Sequence, residues 1–134
     1  SLTVTDKNMT RYFMTIDVAT EMILDSISIA KGSEVFIFKN IGKFKILDLA
    51  KALIKNFKSK SISKIKFTKK QNGEKINEKF VSNDEIEFLK EIKKMYVLDF
   101  SNRYKIKKVK NIVLKEKILK QDQIIKLLKK ENII

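Results

Sequence analysis

Residues 9–30 read MTRYFMTIDVATEMILDSISIA, and this stretch decides the fold. Thr15 carries a hydroxyl that can accept the backbone N–H of Asp17 or Val18, and Asp17 places a carboxylate in the first turn, where the helix dipole favours it. From Ile16 onward the apolar residues Ile16, Ala19, Ile23, Ile27 and Ala30 recur at helical spacing, while Asp17, Glu21, Asp25 and Ser28 fall elsewhere on the wheel. Val18, Met22 and Ile29 form a second stripe. A helix apolar on two sides is expected to be covered on two sides, which makes it a core element of something larger. Lys31-Gly32-Ser33 is the predicted stop, with glycine at the C-cap.

Working outward, SLTVT at the start alternates and is β-branched, so it predicts a short strand followed by a polar turn at Asp6–Asn8. The chain has no initiator methionine and its first helix is already two-sided, which reads as the later part of a longer polypeptide. After the helix, Glu34-Val-Phe-Ile-Phe38 is a short apolar run between polar residues and predicts a buried strand. Residues 40–42 predict a turn, and Lys45–Phe57 a second amphipathic helix with Ile46, Ala50, Leu53 and Phe57 on its core face. Helix, strand, helix is an α/β rhythm. Residues 61–70 predict a half-exposed strand, and Asn72-Gly73 a turn. Ser82-x-x-Glu85 has the capping-box pattern and predicts a short helix through Lys94. Met95–Leu98 reads as a further strand, residues 99–119 carry no regular pattern, and Gln121–Lys130 predicts a last amphipathic helix. The expected architecture is a small mixed α/β domain of three or four helices with a short sheet. Its expected layout is residues 1–98 as a C-terminal-type domain, with 99–134 as a basic extension ending in a helix packed on it.

Composition narrows the chemistry. At 134 residues with 43% hydrophobic content, the length predicts one compact unit. There is no cysteine and no histidine, which excludes disulfides, thiolate nucleophiles, a serine–histidine triad and a Cys/His zinc site contributed by this chain. No apolar run of membrane-spanning length occurs, and the first residues lack the basic-then-apolar order of a signal peptide, so no membrane span and a cytoplasmic location are expected. The formal charge is +14, and it is uneven. Residues 1–57 hold eight Lys or Arg against six Asp or Glu, a net of +2, leaving +12 for the remainder. Nearly all of it is lysine in the company of Ile and Asn, with arginine only at 11 and 103. An AT-rich coding bias produces that mixture, so solvated lysine faces are favoured over a nucleic-acid surface. A lysine-rich nucleic-acid or anionic-surface module, with residues 103–120 in contact, is the alternative.

Four stretches in order resemble a known family: Thr5-Asp6-x-x-Met9-Thr10-Arg11-Tyr12-Phe13-Met14-Thr15-Ile16, then Glu34-Val-Phe-Ile-Phe38, Lys45-Ile-Leu-Asp-Leu-Ala50 and Gly73-Glu74-Lys75-x-x-Glu78. They resemble the C-terminal part of the polysaccharide-biosynthesis nucleotide-sugar dehydratases and epimerases, of the UDP-N-acetylglucosamine 4,6-dehydratase kind, within the extended short-chain dehydrogenase/reductase superfamily. The likeness runs in one frame over about residues 2–98. It implies an enzyme that binds NAD or NADP on an N-terminal Rossmann half and transiently oxidises C4 of a UDP-linked N-acetylhexosamine. This chain would then be the portion that binds the UDP-sugar, inactive alone, with the cofactor and catalytic tyrosine outside it and homo-oligomer formation left open. Tyr104 and Lys108 have Tyr-x-x-x-Lys spacing, but they lie in a lysine-dense tract away from the family's position and read as chance.

The resemblance implies a substrate role for Arg11, because a diphosphate offers paired anionic oxygens that a guanidinium fork satisfies where an ammonium acts as a point charge. The alternative is an arginine that pairs with Asp6 or Asp17 and only orders a turn. Where the family reads Arg-Pro-Gly-Glu-Lys, this chain has Gln71-Asn72-Gly73-Glu74-Lys75, and Asn77 stands in place of a histidine. A charge-assisted hydrogen bond is worth about 1.5–3 kcal/mol against about 1 for a neutral one, so Gln71 weakens diphosphate binding about tenfold. Lys69 or Lys70 is the expected replacement charge. Of Glu74 and Lys75, adjacent residues in extended chain, one at most faces a ligand; Glu74 is expected to cap a turn or form an ion pair. Gly73 marks a positive φ. Loss of the Arg-Pro pair also fits a degenerate, non-catalytic partner subunit.

Overall fold

The computed structural model describes residues 1–39, 41–57, 64–106, 108–109 and 117–134. In chain order the elements are β1 (Leu2–Val4), β2 (Thr10–Phe13), α1 (Ile16–Ile29), β3 (Val35–Phe38), β4 (Gly42–Lys45), α2 (Ile46–Asn56), β5 (Ile65–Phe67), a 3₁₀ turn (Ile86–Phe88), β6 (Leu89–Ile92), β7 (Met95–Leu98), β8 (Lys117–Ile118) and α3 (Gln121–Lys130). This is a small mixed α/β fold, with three α-helices among the described residues. Contacts divide it into two units where the length predicts one: Ser1–Phe13, Gly42–Glu78 and Lys117–Ile134 form the first, Met14–Ile41 and Lys79–Glu116 the second. The basic stretch from 99 is shared between them.

In the first unit β1 and β5 pair in parallel, while β4 lies between β2, antiparallel, and β8, parallel. The core is Phe44, Ala52, Ile124 and Leu128, with Phe13, Ile46, Leu49 and Leu53 packed around it. The predicted helix at 45–57 forms as α2, but its innermost residue is Ala52, and Phe57 lies outside, 38% exposed. Ala52, small and fully buried with Ile124 and Leu128, lets α2 lie close to α3. Helix α3 spans the predicted residues and stops through a Schellman arrangement: Asn132 takes φ 54, the Asn132 N–H donates to Lys129 O and the Ile133 N–H to Leu128 O. Strand β4 replaces the turn expected at 41–42; Asn40 lies outside the described residues. Gly42 packs closely there: a Cβ would come 2.9 Å from a Leu119 methyl carbon, so a larger residue would displace that side chain. Of the strand predicted at 61–70, Ile65–Phe67 forms, and residues 61–63 lie outside the described residues.

In the second unit the sheet order is β3-β7-β6, antiparallel throughout. Ile37, Val81, Leu89 and Leu98 form its core, flanked by Phe80, Phe88 and Tyr96. The helix predicted from Ser82 does not form. The Ser82 N–H does donate to the Glu85 carboxylate at 2.8 Å, but the chain makes one 3₁₀ turn and then becomes β6. Residues 93 and 94 form a two-residue hairpin loop, with Lys93 at φ 47, and the ladder to β7 wins over continued helix. Helix α1 starts as predicted, with Thr15 Oγ1 accepting from the Val18 N–H at 3.3 Å. Its end differs: Ala30 is the C-cap and Gly32, at φ 100, falls beyond it, while Glu34 accepts the Lys31 N–H. None of its residues is buried, so the expected cover on two sides does not come from the described residues.

A buried lysine organises the far end of this sheet. Lys90 Nζ donates to Asp99 Oδ2 at 2.8 Å, Asn102 Oδ1 at 2.6 Å and Tyr104 O at 2.6 Å. The Asp99 carboxylate also accepts from the Arg103 and Tyr104 N–H groups. Burial alone would raise the Asp99 carboxyl, but the Lys90 hydrogen bond and the two N–H donors outweigh it and hold it at about 2. Tyr104, buried, donates its hydroxyl toward Ile29 O and Glu34 Oε1; burial first, then the Glu34 carboxylate, pushes its phenol up to about 12. Tyr104 therefore fastens the end of α1, a role that its chance spacing with Lys108 does not reveal. No helix among the described residues is long and apolar enough to cross a membrane.

Candidate functional site

Strand β2 is short, so Arg11 cannot be read apart from what pairs with it. Register places Arg11 opposite Phe44 and Tyr12 opposite Lys43. On the other side of β2, the Thr10 N–H donates to Ile76 O at 2.9 Å and the Thr10 hydroxyl to Asn77 Oδ1 at 2.6 Å, which fixes the segment 76–78 beside the strand. Arg11 then meets Glu78: its Nε lies 3.6 Å from Glu78 Oε1, and its Nη1 donates to Thr10 O at 2.8 Å and Ile76 O at 3.5 Å. The guanidinium side chain is 25% exposed and the Glu78 side chain 46%.

The carbonyl of Glu78 is a second meeting point. The Tyr12 hydroxyl donates to it at 3.1 Å, and buried Lys43 donates to it at 3.4 Å while its Nζ stands 4.9 Å over the Tyr12 ring. Two cations and a phenol therefore converge on one residue in the first unit. The Arg11 side chain keeps a quarter of its surface exposed, and a guanidinium fork can receive an anion with paired oxygens. In place of Asp6 or Asp17, the partners of the alternative reading, Arg11 has Glu78, since strand pairing carries the side chain toward the 76–78 segment.

The other predicted residues divide. Glu74 closes its own turn: its carboxylate accepts the Gln71 N–H at 3.2 Å and the Thr5 hydroxyl at 3.1 Å, and its N–H donates to Gln71 O. Gly73 sits at φ 84, with no other atom within 4 Å of where a Cβ would stand. Lys69, Lys70, Gln71 and Lys75 are set on the loop after β5, and none of the four is in an ion pair among the described residues. In the sequence Tyr12 and Glu78 appear only as parts of motifs, and Lys43 does not stand out at all, because their roles depend on the β2–β4 register; the Thr-Arg-Tyr-Phe run together with the acidic motif is the available signal.

A separate cavity of about 260 Å³ in the second unit is lined by Asp25, Ser28, Ile29, Lys93, Lys94 and Met95, and contains none of these residues. Among the described residues no group of carboxylates is placed to hold a metal ion. Of the glycines, Gly32 is approached by the Arg103 side chain, Gly42 by Leu119, and Gly73 opens outward.

Known proteins share these stretches. Over 96 residues the chain is 38% identical to the capsular polysaccharide biosynthesis protein CapD of Staphylococcus aureus, covering 71% of this chain and 16% of that protein. It is 31% identical over 103 residues to a UDP-N-acetylglucosamine 4,6-dehydratase (inverting) of Campylobacter jejuni, covering 77% of this chain and 29% of the enzyme. The chain thus spans less than a third of the length of either relative. The X-ray structure of Pen from Bacillus thuringiensis superposes with a TM-score of 0.79 at 26% identity, over 99% of this chain and 41% of Pen. Residues 1–100 match the model of the family described as polysaccharide biosynthesis protein, and the chain belongs to that family.

Proposed function

We propose that this chain is the nucleotide-sugar-binding part of an NAD(P)-dependent 4,6-dehydratase or epimerase acting on a UDP-linked N-acetylhexosamine, with the dinucleotide held by an α/β half outside these residues. The observation that carries this is Arg11, set on β2 with Lys43 on the neighbouring strand and a half-exposed Glu78 as its carboxylate partner. The dehydratase named among the relatives supports the substrate class.

In this reading the residues present bind and orient; they do not perform the redox step. Arg11 receives the diphosphate, turning its open edge to the paired oxygens. Lys43 adds positive potential from beneath without leaving its buried position. Glu74 and Gly73 set the loop that carries Gln71, Lys69 and Lys70 past the ligand. Gln71 supplies a neutral hydrogen bond where the family's arginine would supply a charged one.

Isothermal titration of the chain with UDP and with UDP-N-acetylglucosamine tests this. Arg11→Ala is expected to weaken both by at least about tenfold, the loss of one charge-assisted contact of about 1.5–3 kcal/mol. Equal affinity in the variant would remove Arg11 from the site, and no binding by the unaltered chain would count for the degenerate-partner reading.

A further inference from the structure

The turn after β5 holds an Asn–Gly pair. Of nine asparagines and three glycines in the chain, only Asn72 precedes a glycine. The ends of this turn are fixed: the Glu74 N–H donates to Gln71 O at 3.2 Å, and the Gln71 N–H to the Glu74 carboxylate at 3.2 Å. Between them the chain is free. Asn72 and Gly73 are both exposed, and neither the Asn72 carboxamide nor the Gly73 N–H has a hydrogen-bond partner among the described residues. Other carboxamides are held: Asn56 donates to Ala52 O, Asn77 accepts from Thr10 and Asn102 from Lys90.

A backbone nitrogen can attack the carboxamide of the residue before it when it can reach the side-chain carbon. Gly73, at φ 84 and with nothing within 4 Å of where a Cβ would stand, offers no side chain to obstruct the approach to Asn72 Cγ. The backbone must also rotate into line, and a turn centre that makes no hydrogen bond of its own opens at little cost. The nitrogen must lose its proton, and nearby cations favour the anion that results. Lys69, Lys70 and Lys75 are exposed and in no ion pair among the described residues. Against the single carboxylate of Glu74 they leave residues 69–75 at a net +2.

We propose that this turn is a self-modification site, at which Asn72 becomes an acid and sets a new carboxylate among Lys69, Lys70 and Lys75. The Gly73 nitrogen, its proton passed to water, bonds to Asn72 Cγ; the Cγ–Nδ2 bond breaks and ammonia leaves, closing a five-membered imide. Water then adds to one of the two imide carbonyls. Cleavage at the side-chain carbonyl gives aspartate, and cleavage at the main-chain carbonyl gives isoaspartate, so in total one water enters and one ammonia departs. Isoaspartate also lengthens the main chain by one carbon inside a turn closed by Gln71 and Glu74. Where the family motif reads proline, which has no carboxamide, this chain has Asn72, so the device belongs to this sequence. Its consequence for a ligand rests on the proposed function: the added charge opposes a diphosphate on the same loop. The modification itself does not depend on that reading.

The unaltered chain is incubated folded at pH 7.4 and pH 8.5, and in urea at the same two values, and its asparagine peptides are followed by mass spectrometry, with isoaspartate told from aspartate by fragmentation. In the folded chain Asn72 is expected to convert at least tenfold faster than any of the other eight asparagines, within about tenfold of its rate in urea, and faster at the higher pH. Asn72→Gln is expected to remove the mass gain at this peptide. UDP is expected to bind the aged chain, and the Asn72→Asp variant, at least about threefold more weakly than the fresh chain. Folded Asn72 that persists more than tenfold longer than in urea overturns the proposal, because the native turn then shields it. So does conversion no faster than at the other asparagines. Equal UDP affinity of fresh and aged chain overturns the consequence drawn for the ligand. A fresh chain that binds no UDP while Asn72 converts as expected defeats the proposed function and leaves the modification site.

Discussion

Arg11 is held by a contact that a better anion can replace. An ion pair at 3.6 Å with a carboxylate 46% exposed contributes about 0–1 kcal/mol, far less than a diphosphate seated on the same guanidinium. Glu78→Gln is therefore expected to raise UDP affinity up to about fivefold, read by titration at low salt. A fall in affinity would instead make Glu78 the residue that presents the guanidinium. The buried Asp99 makes a different prediction. Its carboxyl is depressed from 3.8 to about 2, so the stability it contributes is complete above its unfolded value and is lost as pH falls from about 4 toward 2. Urea midpoints measured at pH 5 and pH 2.5 should fall more steeply for the unaltered chain than for Asp99→Asn. At this scale the sequence reveals the kind of residue and not its partner. Arg11 and Glu74 stand out by type and motif, whereas Lys43, Tyr12 and Glu78 become a group only after two strands and a loop are aligned.

The elements legible in the sequence are those whose period persists. Helix α3 and the start of α1 follow from apolar spacing and a capping hydroxyl, and β3 and β7 from short apolar runs. The failure at 82–94 has a physical cause: Ser82 and Glu85 make a local turn that a helix would also use, and only the pairing of Leu89–Ile92 with Met95–Leu98 decides against helix. Strand β4 is illegible because its burial does not alternate; Lys43 and Phe44 are both buried. Lys93 sits in the hairpin loop at φ 47, a conformation that costs a side-chain-bearing residue about 1 kcal/mol. Lys93→Gly is expected to raise stability by about 0.5–1 kcal/mol in urea unfolding, with the far-ultraviolet spectrum unchanged. A loss of stability would mean that the Lys93 side chain contributes more than its backbone strain removes.

At the scale of the whole molecule, the chain passes between its two units three times, near residues 13, 41 and 78, and once more between 116 and 117. A cut at residue 98, where the family resemblance ends, removes Ile124 and Leu128 from the first unit's core and Leu119 from against Gly42. Residues 1–98 alone are expected to lose the dispersed amide spectrum of the first unit, measured by two-dimensional NMR, and adding residues 117–134 as a peptide should restore it in part. Dispersed signals from Phe44 and Ala52 in the truncated chain would show that the first unit does not need α3. No local pattern announces an interleaved arrangement, because each crossing looks like an ordinary loop.

The parallel pairing of β4 with β8 has a consequence during synthesis. At ~5–20 residues per second a ribosome needs roughly ten seconds to travel from Gly42 to Lys117, and for that interval β4 has a bare edge and Ala52 has no helix against it. Whatever shields nascent chains in the cell has its task set by this gap.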